Sequence, residues 1–220
     1  VNLSLTFDIP FSKHLEQRID MPLFQKEWGW LTEGLDAHET FVRRSLSAVE
    51  DACRALRLHH QALVVAAAGN DSFGAQRWHD PRFPAAFDAV VGVGALGSHS
   101  QPAPYSNRPD TPEAVGVIAF GGDLDASSGG AGTSSANPVA LSANPDTGIL
   151  GLYIGTLPDG TQPVDGWARW AGTSFSAPII AGFLATALGT GQTPAQALAT
   201  LKGITSAPMG QSQRLNVTQG

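Results

Sequence analysis

A continuous apolar run constrains the fold of this 220-residue chain more than any other feature of its sequence. Residues 63–68 read LVVAAA and are followed directly by Gly69 and Asn70. A run without a polar residue predicts a strand that is buried on both faces, as in a parallel sheet covered by helices. Because ligands bind at the carboxyl ends of the strands in such sheets, Asn70 is expected at the edge that carries a functional site.

The neighbouring segments predict further strands and helices around this run. Residues 40–58 have apolar positions every three or four residues, which indicates an amphipathic helix. Strands are predicted at residues 1–5, 89–95, 115–121, 166–171 and 214–217, and helices at 174–188 (with Gly182 for close packing) and 194–202, ended by Gly203. Residues 7–40 and 121–165 are interpreted as insertions or long loops, the second with a hairpin from 151–154 to 164. The sequence thus predicts an α/β fold of three layers, with helices on both faces of a mainly parallel sheet.

Composition indicates one globular domain and excludes several classes of partner. Hydrophobic residues make up 42% of the chain, and no apolar run is long enough for a membrane helix. The net charge of −6 comes without a basic cluster, so nucleic acid is not an expected partner. The single cysteine, Cys53, excludes an internal disulfide and is interpreted as a core residue. Val1 begins the chain inside a predicted strand, and we expect the chain to be a piece of a longer protein.

A serine segment supplies the strongest indication of chemistry. Residues 172–178 read GTSFSAP and precede an apolar run at 179–185, so Ser174 is predicted at the start of a buried helix, in its positive end field. Helix capping by Ser or Thr explains part of this pattern but neither Gly172 nor Pro178. Residues 132–138 (GTSSANP) have the same spacing, but Pro145 and several turn formers follow and would interrupt a buried helix. Ser174 rather than Ser134 is therefore the predicted nucleophile.

The two segments together resemble the signatures of the subtilisin-like serine peptidases. The serine segment is similar to their Gly-Thr-Ser-x-x-x-Pro motif, and residues 65–70 are similar to Val-x-Ala-Ala-Gly-Asn. The resemblance covers residues 1–6 and 60–203, interrupted at 121–165, and implies that residues 1–220 are a partial peptidase domain. It implies a subtilisin-like fold that is incomplete at its N-terminus, and a serine endopeptidase activity in the full-length protein. It also implies that Ser174 is the nucleophile and that the Asn70 amide and the Ser174 backbone N–H donate to the oxyanion.

The same resemblance implies further expectations about ligands and location. It implies contacts with a polypeptide substrate from Ser4, Leu5, Thr6, Ala67, Ala68, Gly69 and Thr173, although the family usually has glycine at the position of Thr6. No cofactor is expected. Calcium is common in the family, but only Asp123 and Asp125 are candidate ligands, and they do not form a complete set. The family is mostly secreted, which implies a secreted or cell-surface location.

Two members of the family's catalytic triad have no counterpart in this chain. In the family the aspartate and histidine motifs, Asp-[Ser/Thr]-Gly and His-Gly-[Thr/Ser], precede the strand that resembles residues 2–5. None of the six histidines is followed by glycine, and Asp146-Thr147-Gly148 comes in the wrong order. The base and its carboxylate are therefore expected upstream of Val1, on the missing N-terminal part of the same domain. Without them, the chain should keep only about 10³–10⁴-fold acceleration over water.

Three alternatives compete with a truncated peptidase. A degenerate subtilisin-like domain that binds peptides or acts as a scaffold stays open, and triad motifs upstream of Val1 would exclude it. A sedolisin-like protein would have Asp at the position of Asn70. A lipase or esterase would have Gly-x-Ser-x-Gly, which the residues around Ser174 do not match.

Overall fold

The computed structural model describes residues 1–3, 44, 46–73, 78–110, 116–124, 146–156, 166–204, 206–209 and 212–214. The strands are β1 (Asn2–Leu3), β2 (Val64–Ala67), β3 (Val90–Leu96), β4 (Val117–Phe120), β5 (Ile149–Leu152), β6 (Trp167–Trp170), β7 (Ser206–Met209) and β8 (Ser212–Arg214). Helix α1 covers residues 44 and 46–59 within the described part, and α2 (Thr173–Gly189) and α3 (Pro194–Ile204) follow β6. Among the described helices, none combines the length and apolar character needed to cross a membrane.

The main sheet is mostly parallel, as the apolar runs predict. Its described strands lie in the order β1-β2-β3-β4-β8-β7. The pairs from β1 to β4 and the pair β4–β8 are parallel, whereas β7 runs antiparallel to β8. The carboxyl ends of β1 to β4 therefore meet at one edge of the sheet.

Helices cover both faces of this sheet, which confirms the predicted three-layer α/β architecture. Val65 of β2 packs in a cluster with Ile180 of α2, whereas its neighbour Val64 packs with Cys53 of α1 on the opposite face. The alternation follows from the two-residue period of a strand. Each fully buried side chain of this size stabilises the fold by about 1.5–3 kcal/mol.

The structure corrects several local predictions. Strand β5 pairs antiparallel with β6, from Ile149 opposite Trp170 to Leu152 opposite Trp167, so the pairing begins two residues before the predicted hairpin; its predicted end at residue 164 lies outside the described residues. Gly182 lies on the exposed side of α2, where a Cβ atom would meet nothing within 4 Å, so its predicted role in close packing is wrong. Helix α3 continues through Gly203 to Ile204, because a single glycine costs a helix only about 1 kcal/mol. The predicted closing strand at 214–217 falls mostly outside the described residues; β8 ends at Arg214.

Candidate active site

The serine segment lies at the carboxyl edge of the main sheet. The backbone N–H of Gly172 donates to Gly121 O, just beyond the end of β4, at 2.8 Å, and α2 begins one residue later. Ser174 is half-buried in the first turn. Ser176 is fully buried, and its hydroxyl donates to Ala119 O at 3.0 Å. Of these two serines, Ser176 anchors the helix to β4, whereas Ser174 lies on the partly exposed side.

Asn70 caps the helix that carries Ser174. Its Oδ1 accepts from the Thr173 backbone N–H at 2.9 Å and from the Thr173 hydroxyl at 3.0 Å. The Thr173 hydroxyl in turn accepts from Gly69 N–H at 3.2 Å. Because a backbone N–H can only donate, the carboxamide oxygen must face the helix, and the NH₂ group is presented on the other side.

The structure tests whether a serine or threonine of the segment is present only to cap α2. Gly172 occupies the N-cap position and makes no side-chain capping bond, so neither Thr173 nor Ser174 serves as the N-cap. The first turn of α2 contains no acidic residue. The partial positive charge of the helix N-terminus is therefore available to stabilise negative charge that develops beside Ser174.

Two glycines leave room for the amide side chains that surround the Asn70 loop. A Cβ atom at Gly172 would lie 3.2 Å from Asn70 Nδ2. Gly69 has φ of +110°, and a Cβ atom there would lie 2.6 Å from Asn107 Nδ2. A side chain at position 69 would thus be strained by its backbone and would collide with a buried amide.

Burial changes the interpretation of three predicted substrate contacts. Ala67 and Ala68 are 0% exposed, and Thr173 is 1% exposed. The backbone N–H of Ala68 donates to Val93 O, and its carbonyl accepts from Arg82 N–H. Direct side-chain contact with substrate is therefore not supported for these residues; Thr173 instead orients Asn70, and Ala67 and Ala68 belong to the sheet core. Gly69, the residue directly before Asn70, is also buried.

Other predicted residues lie outside the described part of the chain. These are Ser4, Leu5, Thr6, Ser134 and Asp125. Strand β1, which leads to Ser4, is parallel to β2, with Leu3 opposite Ala66. The choice between Ser174 and Ser134 thus stays a prediction, supported by the position of Ser174 beside Asn70.

Tyr105 is a supporting residue that no sequence pattern singled out. Its buried hydroxyl lies 2.8 Å from Gly121 O and 2.7 Å from Gly122 O. Burial, followed by the charge of Asp123, raises the pKa of Tyr105, so the hydroxyl stays protonated and remains a donor. Since Gly121 O also accepts from Gly172 N–H, Tyr105 helps to fix the turn against which the serine segment rests. The sequence feature that could have drawn attention to Tyr105 is its place directly before the Ser106-Asn107 pair.

Asp123 is engaged by hydrogen bonds within the protein. The Ser98 backbone N–H lies 3.0 and 3.2 Å from its two carboxylate oxygens. Burial raises the pKa of Asp123, but hydrogen bonds from Ser98 outweigh it, and the pKa lies below its ordinary value. In the described ranges, no three His, Cys, Asp or Glu side chains are grouped to hold a metal ion.

Replacing Asp123 with asparagine is expected to lower the free energy of unfolding at pH 7 more than at acid pH. The folded-state pKa is depressed, so the ionised carboxylate contributes stability above the pKa of the unfolded chain, about 4. That contribution is lost as the pH falls through the lower, folded-state value. Denaturant unfolding of both proteins at pH 7 and in steps below pH 4 measures the difference, with Asp88→Asn as an exposed control. A difference independent of pH would contradict the assignment.

Comparison with known proteins places this geometry in a family. The model of the Subtilase family (Peptidase_S8) matches residues 28–220. Among solved structures, the chain is similar to a protease from Pseudoalteromonas arctica, with 25% identity over 74% of this chain and 41% of that one and a TM-score of 0.50. It also matches the self-cleaved protease domain of PatA, with 29% identity over 74% of this chain and 48% of that one and a TM-score of 0.45. No match was found among curated proteins.

The chain spans less than half the length of either of these two solved structures. The family match nevertheless extends over most of the chain, including both Asn70 and Ser174. The parallel sheet, the helices on its two faces and the serine segment at its carboxyl edge agree with that match. The chain belongs to the subtilase family.

Proposed function

We propose that the protein containing this chain is a serine endopeptidase, and that the chain supplies its nucleophile and part of its oxyanion hole. The observation that carries the proposal is the fixed orientation of Asn70. Thr173 takes the carboxamide oxygen, and the NH₂ group, which makes neither of these bonds, lies by Gly172, two residues before Ser174. A hydrogen-bond donor held beside a nucleophile in this way is suited to acyl transfer.

In the proposed reaction, Ser174 Oγ attacks the carbonyl carbon of a peptide bond while a general base takes its proton. The carbonyl oxygen becomes an oxyanion, which the Asn70 NH₂ group and the Ser174 backbone N–H stabilise. The amine then leaves with a proton from the base, and an acyl-enzyme on Ser174 remains. Water attacks this ester with the help of the same base, which releases the acid and restores the Ser174 hydroxyl.

The base and its orienting carboxylate are proposed to come from a part of the protein outside these 220 residues. The sequence contains no His-Gly pair, and its Asp146-Thr147-Gly148 segment follows the predicted oxyanion residue rather than preceding it. A polypeptide substrate and a secreted or cell-surface location are proposed from the family membership. Backbone contacts to that substrate are proposed for residues 4–6, which follow β1.

Labelling with a fluorophosphonate probe tests this proposal. The probe should modify Ser174 in the intact protein, because a base is then present to activate the hydroxyl. The same intact protein with Ser174→Ala should not be labelled, and neither should the 220-residue chain alone. Modification is located by mass spectrometry of the digested protein.

Each contrary result has a definite meaning. Labelling of the chain alone at Ser174 would show that it contains its own base. Absence of labelling in the intact protein would favour a degenerate subtilase domain that binds peptides without cleaving them.

A further inference from the structure

A buried amide side chain bonds to the loop that carries Asn70. Asn107 is 2% exposed. Its Oδ1 accepts from Asp71 N–H at 2.8 Å and from the Ser72 hydroxyl at 3.2 Å. Its Nδ2 donates to Asp71 Oδ2 at 2.8 Å and to Ala68 O and Asp80 O at 3.3 Å each. One side chain thus bonds to the chain on both sides of Gly69 and Asn70.

A backbone hydrogen bond and an ion pair strengthen this hold. The Asn107 backbone N–H donates to Gly69 O at 2.9 Å. The Arg82 guanidinium makes two bonds to the Asp71 carboxylate, at 2.5 Å from Nε and 2.8 Å from Nη2. The Arg82 and Asp71 side chains are only 15% and 25% exposed. The residue that directly follows Asn70 is therefore held from two directions.

The two contact sets act on different parts of Asn70, its side chain and the backbone that flanks it. Thr173 fixes its carboxamide oxygen against α2, and Asn107 fixes the backbone from which that carboxamide projects. Gly69 in this loop has φ of +110°. Without the Asn107 hydrogen bonds the loop could relax, because these bonds would no longer offset the conformational entropy that is lost when the loop is ordered. Stabilisation of an oxyanion depends on donors that are already in place when the charge forms.

We propose that Asn107 is a positioning residue for the reaction, acting through Asn70 and touching no substrate itself. This inference rests on the proposed peptidase function, since it assigns Asn107 to the same oxyanion hole. A displacement of about 1 Å in a catalytic group can cost about 100-fold in rate. Loss of Asn107 should therefore lower kcat by about 10- to 100-fold and leave KM within about twofold.

The test is a double-mutant cycle in the intact protein with a chromogenic peptide substrate. The variants are Asn107→Ala, Asn70→Ala and the combination. If Asn107 acts through Asn70, the kcat of the combination should equal that of Asn70→Ala alone. A further fall by the full factor seen for Asn107→Ala alone would overturn the inference.

A matched control separates positioning from general loss of stability. Asp110 is also buried, 5% exposed, and its Oδ1 accepts from Gly116 N–H at 2.9 Å. Asp110→Asn should lower the free energy of unfolding but leave kcat unchanged; a kcat loss equal to that of Asn107→Ala would contradict a specific role.

If Asn107→Ala does not fold, Arg82→Lys replaces it, since lysine cannot make the two-pronged contact with Asp71. The kcat loss caused by Arg82→Lys should likewise be absent when it is combined with Asn70→Ala.

A second measurement does not depend on turnover. The Thr173 backbone N–H donates to Asn70 Oδ1, so loosening of the Asn70 loop should speed hydrogen exchange at Thr173. We expect faster exchange in Asn107→Ala and no change in Asp110→Asn; equal exchange in the parent protein and both variants would overturn the inference. If Ser174→Ala keeps full activity while this exchange still rises, the proposed function fails and the structural coupling of Asn107 to Asn70 stands.

Discussion

Replacement of Ser174 by alanine is expected to lower the kcat of the intact protein by about 10⁶-fold, the scale known for loss of the nucleophile in a serine peptidase of this family. The substitution removes one oxygen from a half-buried position, so α2 should keep its structure. The Asn70 cap is bonded to Thr173 rather than to Ser174 and should also remain. Steady-state kinetics with a peptide substrate measure the loss, and circular dichroism checks the fold.

Two other serines supply the controls for this prediction. Ser134→Ala should leave kcat unchanged, because the sequence after residue 138 is not that of a buried helix. Ser176→Ala removes the hydrogen bond to Ala119 O and should lower stability by about 1 kcal/mol or more. Activity retained in Ser174→Ala together with activity lost in Ser134→Ala would show that Ser134 is the nucleophile.

Replacement of Asn70 by leucine is expected to lower kcat by about 10²–10³-fold, the known effect of removing an oxyanion donor. Leucine resembles asparagine in size and in its branch at Cγ, but it cannot donate a hydrogen bond. KM should change little, because the donor acts mainly on charge that develops in the transition state. The measurement is again steady-state kinetics in the intact protein, with thermal unfolding to follow stability.

The leucine variant also removes the cap on α2, so a second variant is needed. Asn70→Asp keeps an oxygen acceptor for the Thr173 N–H but loses the NH₂ group. It should be more stable than Asn70→Leu, since a carboxylate at a helix N-terminus is favourable, and yet remain slow. Recovery of kcat in Asn70→Asp would mean that Asn70 acts only as a helix cap.

The strands of the sheet core could be predicted from the sequence because double burial demands uninterrupted apolar residues. The predictions at residues 63–68 and 89–95 differ from β2 and β3 by a single residue at each end. The register of β5 against β6 could not be predicted, because short strands have little pattern of their own and packing decides which residues lie opposite each other. The Trp170 ring of β6 lies 5.2 Å from the Tyr153 ring and 6.0 Å from the Phe175 ring, contacts that join three separate segments.

The sequence by itself determined the family, the sheet core and the two residues proposed for chemistry. Each depends on a local pattern, such as a serine at a helix start or an asparagine after a buried strand. Only the tertiary structure decided which end of the Asn70 carboxamide faces the helix, and that Asn107 bonds to the backbone on both sides of Gly69 and Asn70. Those contacts join residues 103 and 36 positions apart in the chain, and their partners are fixed by the path of the backbone between them. Periodicity and propensity act over a few residues and carry no information about hydrogen bonds at that range.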